Sequence, residues 1–169
     1  MASRLAKSIS VMIMLFLVYI IFSGSFTSFD IVTGIIIAVI GGLLTANLLV
    51  KEPKKSLNPI RLIWLLIYAL LYLSIIEFRA HFDVAKRILN PKLPIKPGIV
   101  RVPYHVDTDY AKVTIANSIT NTPGTVVVDL DEDKRYYYVH WINVKAPDEK
   151  TTYENIVKTF EKYAKKIFD

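Results

Sequence analysis

Three long apolar stretches lie between Ser8 and Ile76, and none of them has a charged side chain in its interior. A protein that carries ions or protons through a bilayer needs polar or titratable groups at depth. Their absence argues against this chain being the conduit. It predicts a membrane protein that assists transport by other chains.

Other residue types are also missing. The chain has no cysteine, which excludes a disulfide framework, a thiolate metal site, an iron–sulfur ligand set and a cysteine nucleophile. It has no glutamine and few asparagines but many lysines and tyrosines, a composition typical of heat-adapted, thermophile proteins. Its net charge of +6 is spread over loops and the C-terminal helix, so no nucleic-acid partner is expected.

What is present divides the chain into two halves. Its 169 residues are 53% hydrophobic, and the mean hydropathy is +0.37. This is too apolar for an ordinary soluble domain, and the excess lies in the first half. The sequence predicts transmembrane helices and a juxtamembrane amphipathic helix over residues 1–90, a proline-rich spacer over 91–97, and a small soluble domain over 98–169.

The first apolar stretch, Ile9–Phe22, follows Arg4 and Lys7. No small-residue cleavage site separates it from the second stretch, so we expect it to be retained rather than removed as a signal peptide. Its fourteen residues rise only about 21 Å, which is less than a hydrocarbon core of about 30 Å. A thin span and one half of a re-entrant hairpin both fit this length.

The second stretch, Ile31–Val50, matches the thickness of a bilayer, and Asp30 is the predicted N-cap. Small residues recur on one face of this helix, a pattern that lets another helix approach closely. Two neighbours fit this face, the first helix and a partner subunit, and the sequence does not decide between them. The residues of this predicted packing face are Gly34, Ala38, Gly41 and Gly42.

The third helix is predicted over Ile60–Phe78, after a basic link broken by two prolines. It is apolar all round and carries Trp64, Tyr68 and Tyr72, which favours burial in lipid or in a complex. An amphipathic extension follows, with Phe78, Phe82, Ala85 and Leu89 on one face. Its predicted polar contacts are Glu77, His81 and Asp83.

Counting basic residues does not orient these helices. Six basic groups precede or begin the third helix, and five follow it, which is close to a tie. If the first two stretches form a hairpin and the third helix crosses, the two termini lie on opposite faces of the membrane.

The soluble half is predicted to have the order β-α-β-β-α, a small α+β domain like a ferredoxin fold lacking its last strand. Such a sheet leaves an edge or a face that a partner can cover. The expected cap of its first helix is Asp107 or Thr108, and Thr151 with Glu154 forms a capping box at the start of the last helix. The predicted elements are Ile99–Val102, Asp109–Ser118, Thr125–Leu130, Tyr136–Val144 and a helix from Thr151.

Candidates for chemistry are few. The acidic run Asp129–Asp133 lacks the glycine and distal glutamate of a calcium loop, so a solvated hairpin turn is expected. His81, His105 and His140 have neither metal-ligand spacing nor a paired nucleophile. No phosphate loop, catalytic triad or paired carboxylates are present. We therefore expect no catalytic residue, cofactor, metal or small-molecule substrate, and no enzyme activity of the chain by itself.

One segment has a specific signature. Residues 117–129 read NSITNTPGTVVVD, and residues 138–142 read YVHWI. Together with the Lys96-Pro97-Gly98-Ile99 link, these segments make the sequence resemble the E subunit of Mrp-type multisubunit Na+/H+ antiporters. The resemblance covers nearly the whole chain. The most specific part is the turn Thr122-Pro123-Gly124-Thr125. The family motif and candidate subunit contact comprises Thr122, Pro123, Gly124, Thr125, Asp129 and His140.

The resemblance implies a non-catalytic accessory subunit in a multi-pass assembly of membrane proteins that exchanges sodium for protons. Related modules belong to membrane-bound hydrogenases and sulfane sulfur reductases, in which a redox arm drives ion exchange. It also implies the cell membrane as the location, with a cytoplasmic C-terminal domain. The alternative from the residues alone is a membrane-anchored small-ligand-binding domain, which needs convergent polar groups on one face. The sequence does not show polar groups that converge on one face.

Overall fold

The computed structural model describes residues 2–169, apart from the side chains of residues 2–4, 53 and 54. The chain forms two compact units, Met1–Pro59 and Ile60–Asp169. The predicted division at residues 90 and 98 stays a prediction. In chain order the elements are α1 Ala2–Ser23, α2 Ser28–Leu49, α3 Pro53–Ser56, α4 Pro59–Leu71, a π-helical turn Tyr72–Ile76, α5 Glu77–Ile88, β1 Gly98–Pro103, α6 Asp109–Asn121, β2 Thr125–Asp131, β3 Tyr136–Trp141, α7 Glu149–Thr152, a second π-helical turn Tyr153–Val157 and α8 Lys158–Phe168.

Helix α1 is longer than the apolar run predicted. Its 22 residues correspond to about 33 Å, enough to cross a hydrocarbon core. The helix continues through the segment before Ile9, because Ala, Ser and Lys are compatible with helix and nothing there breaks it. Among the described residues, three helical segments are long and apolar enough to span a membrane, namely Leu5–Ser23, Ser28–Leu49 and Pro59–Ile88.

The prediction that Asp30 caps α2 is wrong. The N-cap is Thr27, whose hydroxyl oxygen accepts a hydrogen bond from the Asp30 N–H. The Thr27 and Ser25 hydroxyls donate to the Asp30 carboxylate in return. Thr27 rather than Asp30 is the N-cap because it precedes the aspartate by three residues, which is the spacing of a reciprocal cap.

Helix α1 lies on the small-residue face of α2. Gly34, Ala38, Gly42 and Ala46 are the buried residues of α2. A Cβ atom at Gly34 would lie 2.7 Å from Tyr19 Cδ1, and one at Gly41 would lie 2.6 Å from Leu15 Cδ1. Of the two occupants that the sequence left open, the structure therefore places the first helix here.

Helices α4 and α5 and the π turn between them form one continuous segment, Pro59–Ile88, called here the long helix. The sequence predicted a helix without a polar face, buried in lipid or in a complex. In the structure one face of it packs on the C-terminal domain, and Tyr68 is only 6% exposed. Trp64, Tyr72 and Ile76 are half-buried against the same core.

The sheet has the strand order β1-β3-β2, and both pairs are antiparallel. This is the order of a ferredoxin-like sheet without its fourth strand, as predicted. Tyr137, Val139 and Trp141 are buried under the helices, whereas Tyr136, Tyr138 and His140 alternate with them on the other face. The strand ends at Trp141, three residues earlier than predicted, because the chain turns to pair Lys96 with Asn143.

Helix α6 begins at the predicted cap, since the Thr108 hydroxyl oxygen accepts from the Ala111 N–H. The capping box predicted at Thr151 and Glu154 is wrong. Asp148 caps α7 and accepts from the Thr151 N–H, which places the helix start earlier. At the outer edge of β1, the Thr152 hydroxyl donates to the Arg101 carbonyl oxygen over 2.9 Å.

A buried carboxylate ties α8 to the segment that follows β1. Glu161 is 1% exposed, and its oxygens accept from the His105 N–H and from Lys165 Nζ, both at 2.8 Å. The Tyr153 hydroxyl donates to it over 3.1 Å. Burial alone would raise the pKa of Glu161, but the hydrogen bonds from Lys165 and the His105 N–H hold the pKa below its usual range.

We expect Glu161→Gln to lower the free energy of unfolding by about 2 kcal/mol near neutral pH, because two charge-assisted hydrogen bonds weaken. A lowered folded-state pKa stabilises the fold above the unfolded pKa, and this contribution disappears as pH falls through the folded pKa. The difference between the two proteins should therefore shrink in acid. Denaturant unfolding near pH 7 and near pH 3 measures it, with the exposed Glu154→Gln as control. An equal difference at both pH values would contradict this role.

Candidate functional site

A cleft of about 340 Å³ opens between α5 and the end of the C-terminal domain that carries the Thr-Pro-Gly-Thr turn. We call it the turn cleft. The long helix forms one wall, and the turn, the segment after β3 and the start of the last helix form the others. Its polar lining residues are Asp83, Arg87, Thr122, Thr125, Asn143, Lys145, Glu154, Asn155 and Thr159.

The turn is held at both ends by hydroxyl groups. Thr122 is the C-cap of α6, and its hydroxyl donates to the Ser118 carbonyl oxygen over 2.6 Å. The Thr125 hydroxyl donates to the Ile119 carbonyl oxygen over 2.7 Å. Pro123 has a restricted φ and disfavours a helical conformation at Thr122. The helix therefore stops here, and β2 starts in a defined direction.

Gly124 is the point at which the turn meets both the sheet and the long helix. Its φ is +97°, a conformation that residues with a side chain rarely adopt. A Cβ atom there would lie 3.0 Å from Ile142 Cγ2 and 3.5 Å from Val84 Cγ2. The Gly124 carbonyl oxygen also accepts from the Ile142 N–H at 2.9 Å. Only glycine satisfies the backbone angle and the close contact together.

Two tyrosines of the long helix bind the C-terminal end of α6. The Tyr68 hydroxyl makes a short, buried hydrogen bond with the Ser118 hydroxyl. The Tyr72 hydroxyl donates to the Ser118 carbonyl oxygen over 3.3 Å and lies 3.4 Å from Thr122 Oγ1. The Ser118 carbonyl oxygen also accepts from the Thr122 N–H at 3.2 Å, so the Tyr72 hydroxyl is a further donor to the last turn of the helix. The long helix therefore helps to define where α6 ends and the turn begins.

The predicted polar contacts of the long helix separate in the structure. Asp83 lines the turn cleft and holds Arg87 through two hydrogen bonds, 2.8 and 3.2 Å long. Arg87 also donates to the Pro94 carbonyl oxygen over 2.8 Å. Glu77 is mostly covered and lies 3.4 Å from Nδ1 of the exposed His81. Neither Glu77 nor His81 lines the cleft.

The other two motif residues lie on the sheet. Asp129 is opposite Tyr138 in the β2–β3 register, next to a bulge, and its Oδ1 accepts from the Leu130 N–H. His140 is opposite Ile99 and Val126. Asp129 and His140 share the face that the helices leave uncovered, whereas Thr122–Thr125 line the turn cleft. Their role as one subunit contact therefore remains a prediction.

The turn cleft brings together polar residues that the sequence analysis did not connect. Asn143, Lys145 and Asn155 come from loop and helix positions without a shared periodicity, so no spacing indicated them. Lys145 Nζ donates to Asn155 Oδ1 over 2.6 Å across one wall. Within the part of the chain that the structure describes, no three His, Asp or Glu side chains are placed to hold a metal ion.

Comparison with known proteins identifies relatives along nearly the full length. Residues 12–167 match the family described as MNHE, Na+/H+ ion antiporter subunit. The chain is 31% identical over 145 residues to the E subunit of the Na(+)/H(+) antiporter of Alkalihalophilus pseudofirmus, covering 86% of this chain and 87% of that protein. It is 32% identical over 156 residues to the E1 subunit of the Na(+)/H(+) antiporter of Staphylococcus haemolyticus, covering 89% and 90%.

A solved structure is also similar. One chain of the membrane-bound sulfane sulfur reductase, an archaeal respiratory membrane complex, superimposes with a TM-score of 0.84 at 32% sequence identity. The superposition covers 96% of this chain and 99% of that one. Both units described above therefore have counterparts in a chain of a multisubunit membrane complex.

Proposed function

Because the chain belongs to the family of Na+/H+ antiporter E subunits, we propose that it is an accessory, non-catalytic membrane subunit of an Mrp-type antiporter module. The observation that carries the proposal is the family match over residues 12–167, which includes the membrane helices and the C-terminal domain. Its partners are the other membrane subunits of the module, and the module exchanges a monovalent cation for protons.

Two features favour an accessory rather than a catalytic role. The apolar interiors of α1 and α2 contain no charged side chain, so these helices offer no relay for ions. The polar groups of the turn cleft pair with one another, as Asp83 does with Arg87 and Lys145 with Asn155. In this proposal the ion path lies in partner chains.

The structural neighbour favours one setting. It belongs to a sulfane sulfur reductase complex and matches this chain over almost its whole length. Together with the heat-adapted composition, this similarity supports a redox-driven complex rather than a stand-alone antiporter. In that setting the reductase or hydrogenase chemistry belongs to other subunits.

We further propose that the C-terminal domain is cytoplasmic. The loop between α1 and α2, residues 24–27, has no basic residue, whereas basic residues lie before Ser8 and after Leu49. Cytoplasmic segments are enriched in Lys and Arg. The two outer ends of the α1–α2 pair are therefore assigned to the cytoplasm, and the C-terminal domain is on the same side when the segment Pro59–Ile88 does not cross the membrane.

Co-purification tests the proposed function. The tagged chain, extracted in mild detergent from its own membranes, should bring down several apolar subunits that mass spectrometry identifies as antiporter-like proteins. Redox subunits in the same preparation would place it in a respiratory complex. A chain that purifies alone and binds a small metabolite would instead favour the ligand-binding alternative.

We expect Pro123→Gly to lower complex assembly or the exchange rate. The substitution frees φ at the turn and removes the restriction on Thr122, which costs about 1 kcal/mol through the unfolded state alone. Subunit co-purification and cation/proton exchange in membrane vesicles measure the effect. Pro147→Gly, at an exposed proline outside the turn cleft, is the control. Normal assembly together with normal exchange in the Pro123 variant would refute a contact role for the turn.

A further inference from the structure

The long helix has two faces of different character along its whole length. One face contacts the C-terminal domain from its first turn onward. Arg61 Nη1 donates to the Ile167 carbonyl oxygen over 2.8 Å, and Lys166 Nζ lies 3.5 Å from the centre of the Trp64 ring. Near the other end, Val84 lies against Gly124. From Arg61 to Val84 the contacts extend over about 35 Å of helix.

This contact length conflicts with a membrane crossing. A hydrocarbon core is about 30 Å thick, so a crossing helix would carry the attached domain into the lipid. Helix α8, which packs on the long helix, exposes four lysines to the surroundings of the domain. Charged side chains are unfavourable in hydrocarbon and require water or partners. These residues are Lys158, Lys162, Lys165 and Lys166.

The opposite face of the long helix is an exposed apolar stripe. Its residues are between 57% and 71% exposed, which is unusual for so many large side chains on a water-soluble surface. They recur every three or four positions, except for a step of five at the π turn, where the extra residue keeps the stripe on one side. The stripe consists of Ile63, Leu66, Leu70, Leu73, Phe78 and Phe82.

The border of the stripe has the charge that suits a lipid surface. Arg79 and Lys86 are exposed and seven residues apart, so they lie on the same flank of α5, together with Asp83, whose carboxylate pairs with Arg87. An apolar stripe flanked by basic residues is the pattern of helices that lie in the headgroup region of membranes with anionic lipids. Only nine residues, 50–58, separate the end of α2 from Pro59, and they can span at most about 30 Å.

We propose that the long helix does not cross the bilayer but lies in the plane of its surface, with the stripe in the lipid and the C-terminal domain on the aqueous side. The chain then has two spans, α1 and α2. The basic groups on either side of the long helix lie on one side of the membrane, while residues 24–27 lie on the other. Counting basic groups before and after the third helix gave nearly equal numbers for the two sides of the membrane because a third crossing was assumed. Without that crossing, both sets of basic groups lie on one side.

Cysteine labelling distinguishes the two topologies, because the natural chain has no cysteine. Leu57→Cys and Lys92→Cys mark the two ends of the long helix, and Phe26→Cys marks the α1–α2 loop. In intact cells that make the complete complex, a membrane-impermeant maleimide should label only Phe26→Cys, and in inside-out vesicles from those cells it should label both Leu57→Cys and Lys92→Cys. Labelling of Leu57→Cys and Lys92→Cys from opposite sides would overturn the proposal.

Depth measurements test the lipid as the occupant of the stripe. A fluorophore on Leu66→Cys, Leu73→Cys or Phe82→Cys in the reconstituted complex should be quenched best by shallow nitroxide lipids, to a similar extent at all three positions. Ile40→Cys in α2 is the control and should be quenched best by deep nitroxides. A gradient of depth along the helix, or no quenching because partner subunits cover the stripe, would refute a lipid-facing surface helix.

Discussion

Replacement of Tyr68 by alanine should reduce the free energy of unfolding by about 3–5 kcal/mol, the range observed when a large buried aromatic side chain is truncated. Tyr68 is almost fully buried, stacks on Tyr163 with 5.5 Å between the ring centres, and lies 6.0 Å from the Tyr72 ring. Its loss opens a cavity and leaves the Ser118 hydroxyl without its partner on the long helix. Denaturant unfolding of the purified chain in mild detergent, followed by near-ultraviolet circular dichroism, measures the change.

Two further variants separate packing from hydrogen bonding. Tyr68→Phe keeps the ring and should cost only about 1 kcal/mol, the value of one hydrogen bond. Leu70→Ala removes a large side chain from the exposed stripe, so the fold of the C-terminal domain should remain nearly as stable as in the natural chain. Equal losses for Tyr68→Ala and Leu70→Ala would show that the long helix does not pack on the domain through this tyrosine.

The second large effect is expected in the membrane pair. Gly42→Leu should separate α1 from α2, because a Cβ atom at Gly42 would lie 2.5 Å from Met12 Cγ and 3.2 Å from both Met12 N and the Ser8 carbonyl oxygen. The methionine side chain can move, but the backbone atoms cannot move without shifting the whole helix. Overpacking of this kind costs about 1–3 kcal/mol, and close helix approach depends on the small residue.

The level of the chain in membranes and its melting temperature in detergent measure this effect. Asn47→Leu introduces the same side chain at an exposed position of α2 and should melt like the natural protein. Adding Met12→Ala to Gly42→Leu should restore only part of the stability, since the two backbone contacts remain. An unchanged melting temperature for Gly42→Leu would mean that the helices are not in contact at this glycine.

Local patterns predicted the C-terminal domain well. The alternation from Tyr136 to Trp141 is confirmed, because Tyr137, Val139 and Trp141 are buried and their neighbours are not. The Thr108 cap and the strand after Gly124 are also confirmed, and each of these predictions depends on residues only a few positions apart. The predicted caps at Asp30 and Thr151 are wrong because a residue three positions earlier, Thr27 or Asp148, is the N-cap in each case. Both residues of each pair are good N-cap types, and the sequence alone does not show which of them the helix uses.

The long helix shows what local patterns leave out. Its composition predicted burial in lipid or in a complex without a distinct polar face, but Trp64, Tyr68 and Tyr72 recur every four residues after Arg61 and form a face with polar groups. Tyrosine hydroxyls find hydrogen-bond partners when they are buried, so this face was a signal of protein contact. The turn cleft had no such signal, because its walls come from segments distant in sequence that meet only after the domain packs on α5.

The bond from Thr152 to the Arg101 carbonyl oxygen has a consequence for crowding in the membrane. A ferredoxin-like sheet without its fourth strand exposes backbone groups along β1, and such groups recruit strands from other copies and promote aggregation. The hydroxyl occupies an acceptor in the middle of this strand, and the start of α7 stands beside it. A strand from a second copy is therefore hindered from pairing along the middle of β1, even where copies lie close together on one membrane.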